Sequence, residues 1–213
     1  MTGSTKWMNR AALYELLAKS YVFAADEMAK ALASGEYSDA FREVGQANGF
    51  SSAACEESYA LLDSYAGQDE SLVFHSVRKE YTRLYIGRKD PLVTPYAGVW
   101  ASLEKGEKPL LMVGKESMAI ERFMRKCGMG QPEGTNEPLD HIASLLEFLY
   151  FLCLVKAEAV KPASYAEIAD DDYETFFDEH FQPFAHAFAN ATLAATEEPL
   201  FVCASHMLLD VKR

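Results

Sequence analysis

The chain has 213 residues, lacks long apolar runs and contains fewer basic than acidic residues. No stretch of about 18 uncharged apolar residues occurs, so we expect no membrane-spanning helix. The first residues, MTGSTKWMNRAALYELL, have no apolar core or cleavage pattern of a secretory signal, which favours a cytoplasmic protein. Lys and Arg number 20 against 32 Asp and Glu, a net charge of -12. This balance argues against nucleic-acid binding and suits a basic partner.

Cysteines are few, and the motifs of common cofactor sites are missing. The four cysteines are far apart and form no C-x-x-C pair, which is typical of buried free thiols in a reducing cytoplasm. The sequence has no H-E-x-x-H, Walker, dinucleotide-binding or G-x-S-x-G motif. These absences argue against a bound metal, a nucleotide cofactor and an enzyme with a catalytic nucleophile, and we expect no cofactor.

Glycine and proline are also sparse and clustered, which leaves long stretches with helical periodicity. We predict an all-α bundle of roughly nine helices, in a single domain over residues 1–213. Residues 87–113 hold three prolines and three glycines, and we predict an extended, hinge-like connection there, with a helical turn near 99–105. The main predicted helices cover about 5–34, 38–47, 52–65, 69–86, 115–127, 138–155 and 199–211, with further helix on either side of Pro183.

One predicted helix carries polar residues in an unusual place. Residues 138–155, PLDHIASLLEFLYFLCLV, are almost entirely apolar. At 100° per residue, the exceptions fall within about a third of the helix circumference. Such a stripe is either satisfied inside the protein or lines a cleft. Its members are Asp140, His141, Ser144 and Glu147, with Glu137 just before the helix.

Three classes of function remain open from these residues. A metal- or nucleotide-binding helical enzyme would use Glu137, Asp140 and His141, but di-metal bundle sites use Glu-x-x-His twice, and that spacing is absent here. A structural helical oligomer would use residues 87–113 as a hinge for domain swapping, so monomer and swapped dimer both remain possible. A binding protein would use the proline-aromatic segment 94–100, TPYAGVW, as a peptide-binding wall, unless Tyr96 and Trp100 only anchor it to the core.

Several motifs favour the last class. Residues 80–87, EYTRLYIG, followed by Pro91 and by 95–100, PYAGVW, are similar to an E-x-x-x-L-F-x-G…P-Y-x-S-V-Y signature. Residues 136–141, NEPLDH, are similar to E-P-x-D-H, and 177–184, FDEHFQPF, to H-L-x-P-W. Together they resemble the TorD/DmsD family of cytoplasmic chaperones for molybdenum-cofactor oxidoreductases. The departures from the family pattern are Tyr85 for Phe, Gly98 for Ser, Trp100 for Tyr and Phe184 for Trp.

The resemblance implies an all-helical protein without enzymatic activity or a cofactor of its own. It implies binding of the twin-arginine signal peptide and of the apo catalytic subunit of a molybdoenzyme reductase of anaerobic respiration. The chaperone then assists cofactor insertion and delays export by the Tat pathway until folding is complete. Guanine nucleotides are linked to some members, but no phosphate-binding loop supports that link here.

The predicted client site follows from the chemistry of such a leader. Two guanidinium groups and an apolar stretch require carboxylates beside an apolar wall, because arginine pairs with carboxylates through two parallel hydrogen bonds. We predict that the polar side of the site comprises Glu80, Glu137, Asp140, His141 and Glu147. The predicted apolar wall comprises Leu84, Tyr85, Pro95, Tyr96 and Trp100.

Overall fold

The computed structural model describes residues 3–87, 90–108, 114–131 and 138–213. Within these ranges the chain is helical and forms no β-strand, although an isolated antiparallel bridge joins Tyr96 to His141. The predicted all-α class is therefore confirmed. Nowhere in these ranges does a helix combine the length and apolar character that a bilayer crossing requires.

Eleven α-helices, numbered in chain order, lie in the described ranges. A π-helical turn at Thr82–Ile86 extends α5, and a second one at Phe177–Phe181 precedes α10. A 3₁₀ turn at Asp63–Tyr65 follows α4. The helices are α1 Gly3–Ser20, α2 Asp26–Ser34, α3 Glu36–Ala47, α4 Ala53–Leu62, α5 Glu70–Tyr81, α6 Ala97–Glu104, α7 Lys115–Lys126, α8 Ile142–Lys156, α9 Asp172–Phe176, α10 Gln182–Ala195 and α11 Pro199–Asp210.

The single helix predicted over 5–34 is wrong, because the chain leaves the helical path at residues 21–25 and resumes in α2. The carbonyl oxygen of Tyr21 accepts a hydrogen bond from the Tyr81 hydroxyl at 3.3 Å, and that of Ala24 accepts from Arg78 at 3.2 Å. Side chains of α5 thus satisfy carbonyl groups in the segment between α1 and α2, which a continuous helix would pair internally. This split accounts for part of the excess over roughly nine helices.

The described residues group into two compact units. The first contains the described residues of Met1–Ala18 and Pro95–Ala187, with Arg213, and the second contains Lys19–Thr94 and Phe188–Lys212. The single domain over 1–213 and the hinge-like character of 87–113 stay predictions. The helical turn predicted near 99–105 is confirmed as α6, and residues 109–113 lie outside the described ranges.

Each unit has an aromatic core. In the first, α8 is buried on most sides, as expected of a helix that is apolar all round. Its Phe148 ring meets Phe176 edge-on at a centroid distance of 4.6 Å. In the second, Tyr85 stacks on Phe188 at 5.5 Å and meets Phe201 edge-on at the same distance.

The four cysteines are free and buried, which confirms that prediction. Burial raises the pKa of the Cys55 thiol to about 11 and those of Cys127 and Cys203 to about 12. Because the thiolate is the reactive form, we expect slow alkylation of the folded protein near neutral pH and rapid labelling of all four thiols in denaturant. Mass spectrometry after iodoacetamide treatment measures this, and fast labelling of folded protein would contradict it.

Candidate functional site

Asp140 and His141 precede α8 instead of lying on it. The helix begins at Ile142, and His141 is its N-cap in an extended conformation, with φ -67° and ψ 141°. The His141 Nδ1 atom accepts a hydrogen bond from the Ala143 amide at 3.2 Å, which satisfies a donor of the first helical turn. The helix predicted from Pro138 therefore starts too early, and the single helical stripe with Ser144 and Glu147 is wrong.

Asp140 connects three segments of the first unit. Its side chain is buried, and Oδ2 accepts hydrogen bonds from the Ser117 hydroxyl at 2.6 Å and from the Gly98 amide at 3.0 Å. Its carbonyl oxygen accepts from the Ala97 amide at 2.9 Å. Asp140 thus caps the first turn of α6 from a distant part of the chain, where a carboxylate also complements the helix dipole.

The proline-aromatic segment meets the same residues. The Pro95 carbonyl oxygen accepts a hydrogen bond from the Ile142 amide at 2.9 Å. The rings of Tyr96 and His141 meet edge-on at 5.4 Å, beside the backbone bridge between these two residues. The structure therefore brings together four residues of the predicted site, Pro95, Tyr96, Asp140 and His141.

A groove of about 550 Å³ lies along α6 and is lined by residues of the first unit only. We call it the α6 groove. One part of its lining is apolar: Trp100 and Leu103 come from α6, and Pro183 and Phe184 from the start of α10. Leu103 is 52% exposed, so it adds accessible apolar surface to the groove.

The rest of the α6 groove is acidic. Three carboxylates and one ammonium group line it, those of Glu104, Glu116, Glu179 and Lys105. Glu104 and Glu179 are exposed, whereas the Glu116 Oε1 atom lies 2.6 Å from the Nδ1 atom of His180. The groove therefore offers carboxylates beside an apolar wall, the combination that an arginine-containing apolar peptide requires.

Glu80 lies in the second unit and has internal partners. Its carboxylate accepts hydrogen bonds from Arg83, with Nε to Oε2 at 2.8 Å, and from the Thr196 hydroxyl. The hydrogen bond from Arg83 is the main cause that lowers the pKa of Glu80. The structure thus gives this glutamate a role in fixing α5, and its predicted contact with a client stays a prediction.

Leu84 and Tyr85, on the π-turn after α5, are both buried in the second unit. The Tyr85 hydroxyl lies 3.3 Å from that of Thr192, so the polar end of this side chain also has an internal partner. Glu147 lies on the exposed face of α8, and Glu137 lies outside the described residues. The client contacts predicted for these residues remain predictions.

Comparison with known proteins identifies the family. The sequence profile of the family described as nitrate reductase delta subunit matches residues 50–190, well over half of the chain. The chain belongs to this family. A curated relative, the chaperone protein TorD of Shewanella sp. (strain MR-4), is 25% identical over 198 residues, which cover 89% of this chain and 91% of that protein.

Family membership confirms the predicted resemblance to TorD/DmsD chaperones and supports a chaperone of redox-enzyme maturation that is not an enzyme. The residues that line the α6 groove and the contacts of Asp140 all fall inside the matched span. Among the described residues, which do not include Glu137, no three His, Cys, Asp or Glu side chains converge to hold an ion.

The carboxylates of the α6 groove were not among the residues predicted from the sequence. Glu104, Glu116 and Glu179 lie on three different elements, and each reads as an ordinary exposed helical glutamate. One signal pointed to the region, because His180 and Phe184 belong to the segment similar to H-L-x-P-W. His180, Pro183 and Phe184 of that segment line the groove together with residues of α6.

Proposed function

We propose that this chain is a system-specific cytoplasmic chaperone for a molybdoenzyme reductase. It binds the twin-arginine signal peptide and the apo form of that enzyme, assists insertion of the molybdenum cofactor and delays export until folding is complete. The observation that carries the proposal is the α6 groove, in which Trp100, Leu103 and Phe184 adjoin three carboxylates. Family membership and the similarity to TorD support the same proposal.

In this proposal the groove recognises both halves of the leader. Glu104 and Glu179, which are exposed, pair with the two guanidinium groups, and each such exposed ion pair contributes up to about 1 kcal/mol. The apolar stretch of the leader packs on Trp100 and Leu103. The net charge of -12 raises the rate of encounter with a basic peptide.

The motif residues act mainly by holding the groove. Asp140 is buried with internal donors, so it supports α6 and does not itself bind the arginines. Pro95 and His141 connect the same helix to α8, while Tyr96, which is half-buried, borders this junction. Glu137 and Glu147 remain candidates for additional contacts with the client.

Calorimetric titration with a panel of twin-arginine leader peptides tests the proposal. Each leader is paired with a version in which both arginines are lysines, because lysine keeps the charge but loses the planar, bidentate contact. We expect micromolar or tighter binding of one leader and at least a tenfold weaker affinity for its lysine version, a difference of about 1.4 kcal/mol. Failure of every leader to bind would contradict the proposal.

Two variants connect this result to the groove. The double substitution Glu104→Gln with Glu179→Gln is expected to weaken leader binding about tenfold and to reduce its salt dependence. Glu57→Gln, on the exposed side of α4, removes one negative charge elsewhere and is expected to retain wild-type affinity. Equal affinities of the groove variant and the control would place the leader outside the α6 groove.

A further inference from the structure

Two consecutive residues at the start of α7 make hydrogen bonds close to the α6 groove: Glu116 lines the groove, and Ser117 lies outside its lining. Ser117 donates its hydroxyl hydrogen to Asp140 Oδ2, the atom that also accepts the Gly98 amide at the start of α6. Glu116 contacts His180 at 2.6 Å, on the π-turn before α10. We call these two residues the α7 brace. Ser117 reaches the start of α6 through Asp140, and Glu116 contacts the groove residue His180 directly.

The space beside Asp140 accommodates one side chain only. A Cβ atom built on Gly98 would lie 2.0 Å from the Ser117 Oγ atom and 2.9 Å from Asp140 Oδ2. Gly98 is in an α-helix and does not have a positive φ, so its backbone conformation does not require glycine. Glycine is required here because the hydroxyl of Ser117 already fills the position that a side chain at 98 would occupy.

The brace also satisfies a buried charge. The Asp140 side chain is 3% exposed, and the Ser117 hydroxyl and the Gly98 amide donate to the same oxygen. Loss of the hydroxyl would leave the Gly98 amide as the donor to that oxygen. Because a buried carboxylate depends strongly on its donors, its position and that of the first turn of α6 should respond to a change at Ser117.

We propose that Ser117 is a positioning residue for the α6 groove. Its hydroxyl occupies the space beside Asp140 that a side chain at position 98 would otherwise fill. Through Asp140 it fixes the start of α6, and hence the place of Trp100 one turn further along. Glu116 fixes the position of the groove residue His180. The role in client binding rests on the proposed function of the groove, whereas the exchange between positions 98 and 117 does not.

A double-mutant cycle measured by urea unfolding tests the exchange without any ligand. Gly98→Ser alone is expected to lower the urea midpoint, because its Cβ atom meets the Ser117 hydroxyl. In the Ser117→Gly background the same substitution is expected to raise the midpoint, since the hydroxyl of residue 98 then reaches Asp140 after a small shift of the carboxylate. Both proteins compared in this background carry glycine at position 117, so the cost of glycine in helix α7 cancels. Equal effects of Gly98→Ser in both backgrounds would overturn the exchange.

Leader titration of Ser117 variants tests the positioning role. We expect Ser117→Ala to weaken leader binding at least fivefold, and Ser117→Thr, which keeps a hydroxyl, to restore most of it. Ser58→Ala is the matched control, because it removes a buried serine hydroxyl bonded to the Cys55 carbonyl in the second unit. It should lower stability and leave affinity unchanged.

Different results would contradict the positioning role of Ser117 and the proposed function. Full leader affinity of Ser117→Ala beside a binding wild type would overturn the positioning role. A wild type that binds no leader would contradict the proposed function, and the unfolding cycle would still decide the exchange.

Discussion

Replacement of Asp140 by alanine is expected to destabilise the chain by about 2–4 kcal/mol and to abolish measurable leader binding. The substitution removes the buried oxygen to which the Gly98 amide and the Ser117 hydroxyl donate. It also removes the negative charge at the N-terminus of α6. Urea unfolding at neutral pH measures the stability, and calorimetry measures the binding.

Two control variants distinguish the loss of the Asp140 cap on α6 from a general loss of stability on removing an aspartate. Asp140→Asn keeps the shape and one accepting oxygen, so we expect a smaller loss, about 1–2 kcal/mol, with weakened but detectable binding. Asp171→Ala removes an exposed aspartate of the same unit at the start of α9, where no side-chain cap bond forms, and should change stability by under about 0.5 kcal/mol. Wild-type stability of Asp140→Ala would show that the carboxylate does not hold α6.

The sequence predicted most helices well where strong local signals agree. Asp69 caps the start of α5 and Gly87 ends its π-turn, in agreement with the helix predicted over 69–86. The break at 21–25 was not predictable, since it contains neither glycine nor proline. It depends on hydrogen bonds donated by Tyr81 and Arg78, which are distant in sequence. Tertiary contacts there decide between continuing and ending a helix.

The site was predicted in part for the same reason. The motifs identified Pro95, Tyr96, Asp140 and His141, and the structure brings these four together. The placement of Asp140 and His141 on a helix was wrong, because nothing in the apolar pattern after Pro138 marks Ile142 as the first helical residue. Histidine is also an uncommon N-cap, so the start of α8 was not recognisable from the usual capping residues. The groove carboxylates required three-dimensional information, because no spacing relates them along the chain.

Tyr85 offers the sharpest test of a core role against a client-contact role. Replacement by alanine is expected to cost about 3–5 kcal/mol, the range for large buried aromatic side chains. The ring is 5% exposed and packs on Phe188, Phe201 and Tyr21 at centroid distances of 5.5, 5.5 and 6.3 Å. Removal therefore opens a cavity that several rigid aromatic neighbours cannot readily fill. Urea unfolding measures the loss.

The conservative variants then decide which role the motif residue has. Tyr85→Phe loses only the hydroxyl contact with Thr192, so we expect a loss of about 1 kcal/mol and unchanged leader affinity. Trp100→Phe, in the α6 groove, should show the reverse pattern of weaker leader binding with little loss of stability. If Tyr85→Phe instead lost affinity at wild-type stability, the second unit would contribute to the client site, as the sequence motif predicted. The expected pattern would mean that the similarity over 80–87 reflects packing of α5 and its π-turn, and that recognition depends on the acidic groove of the first unit.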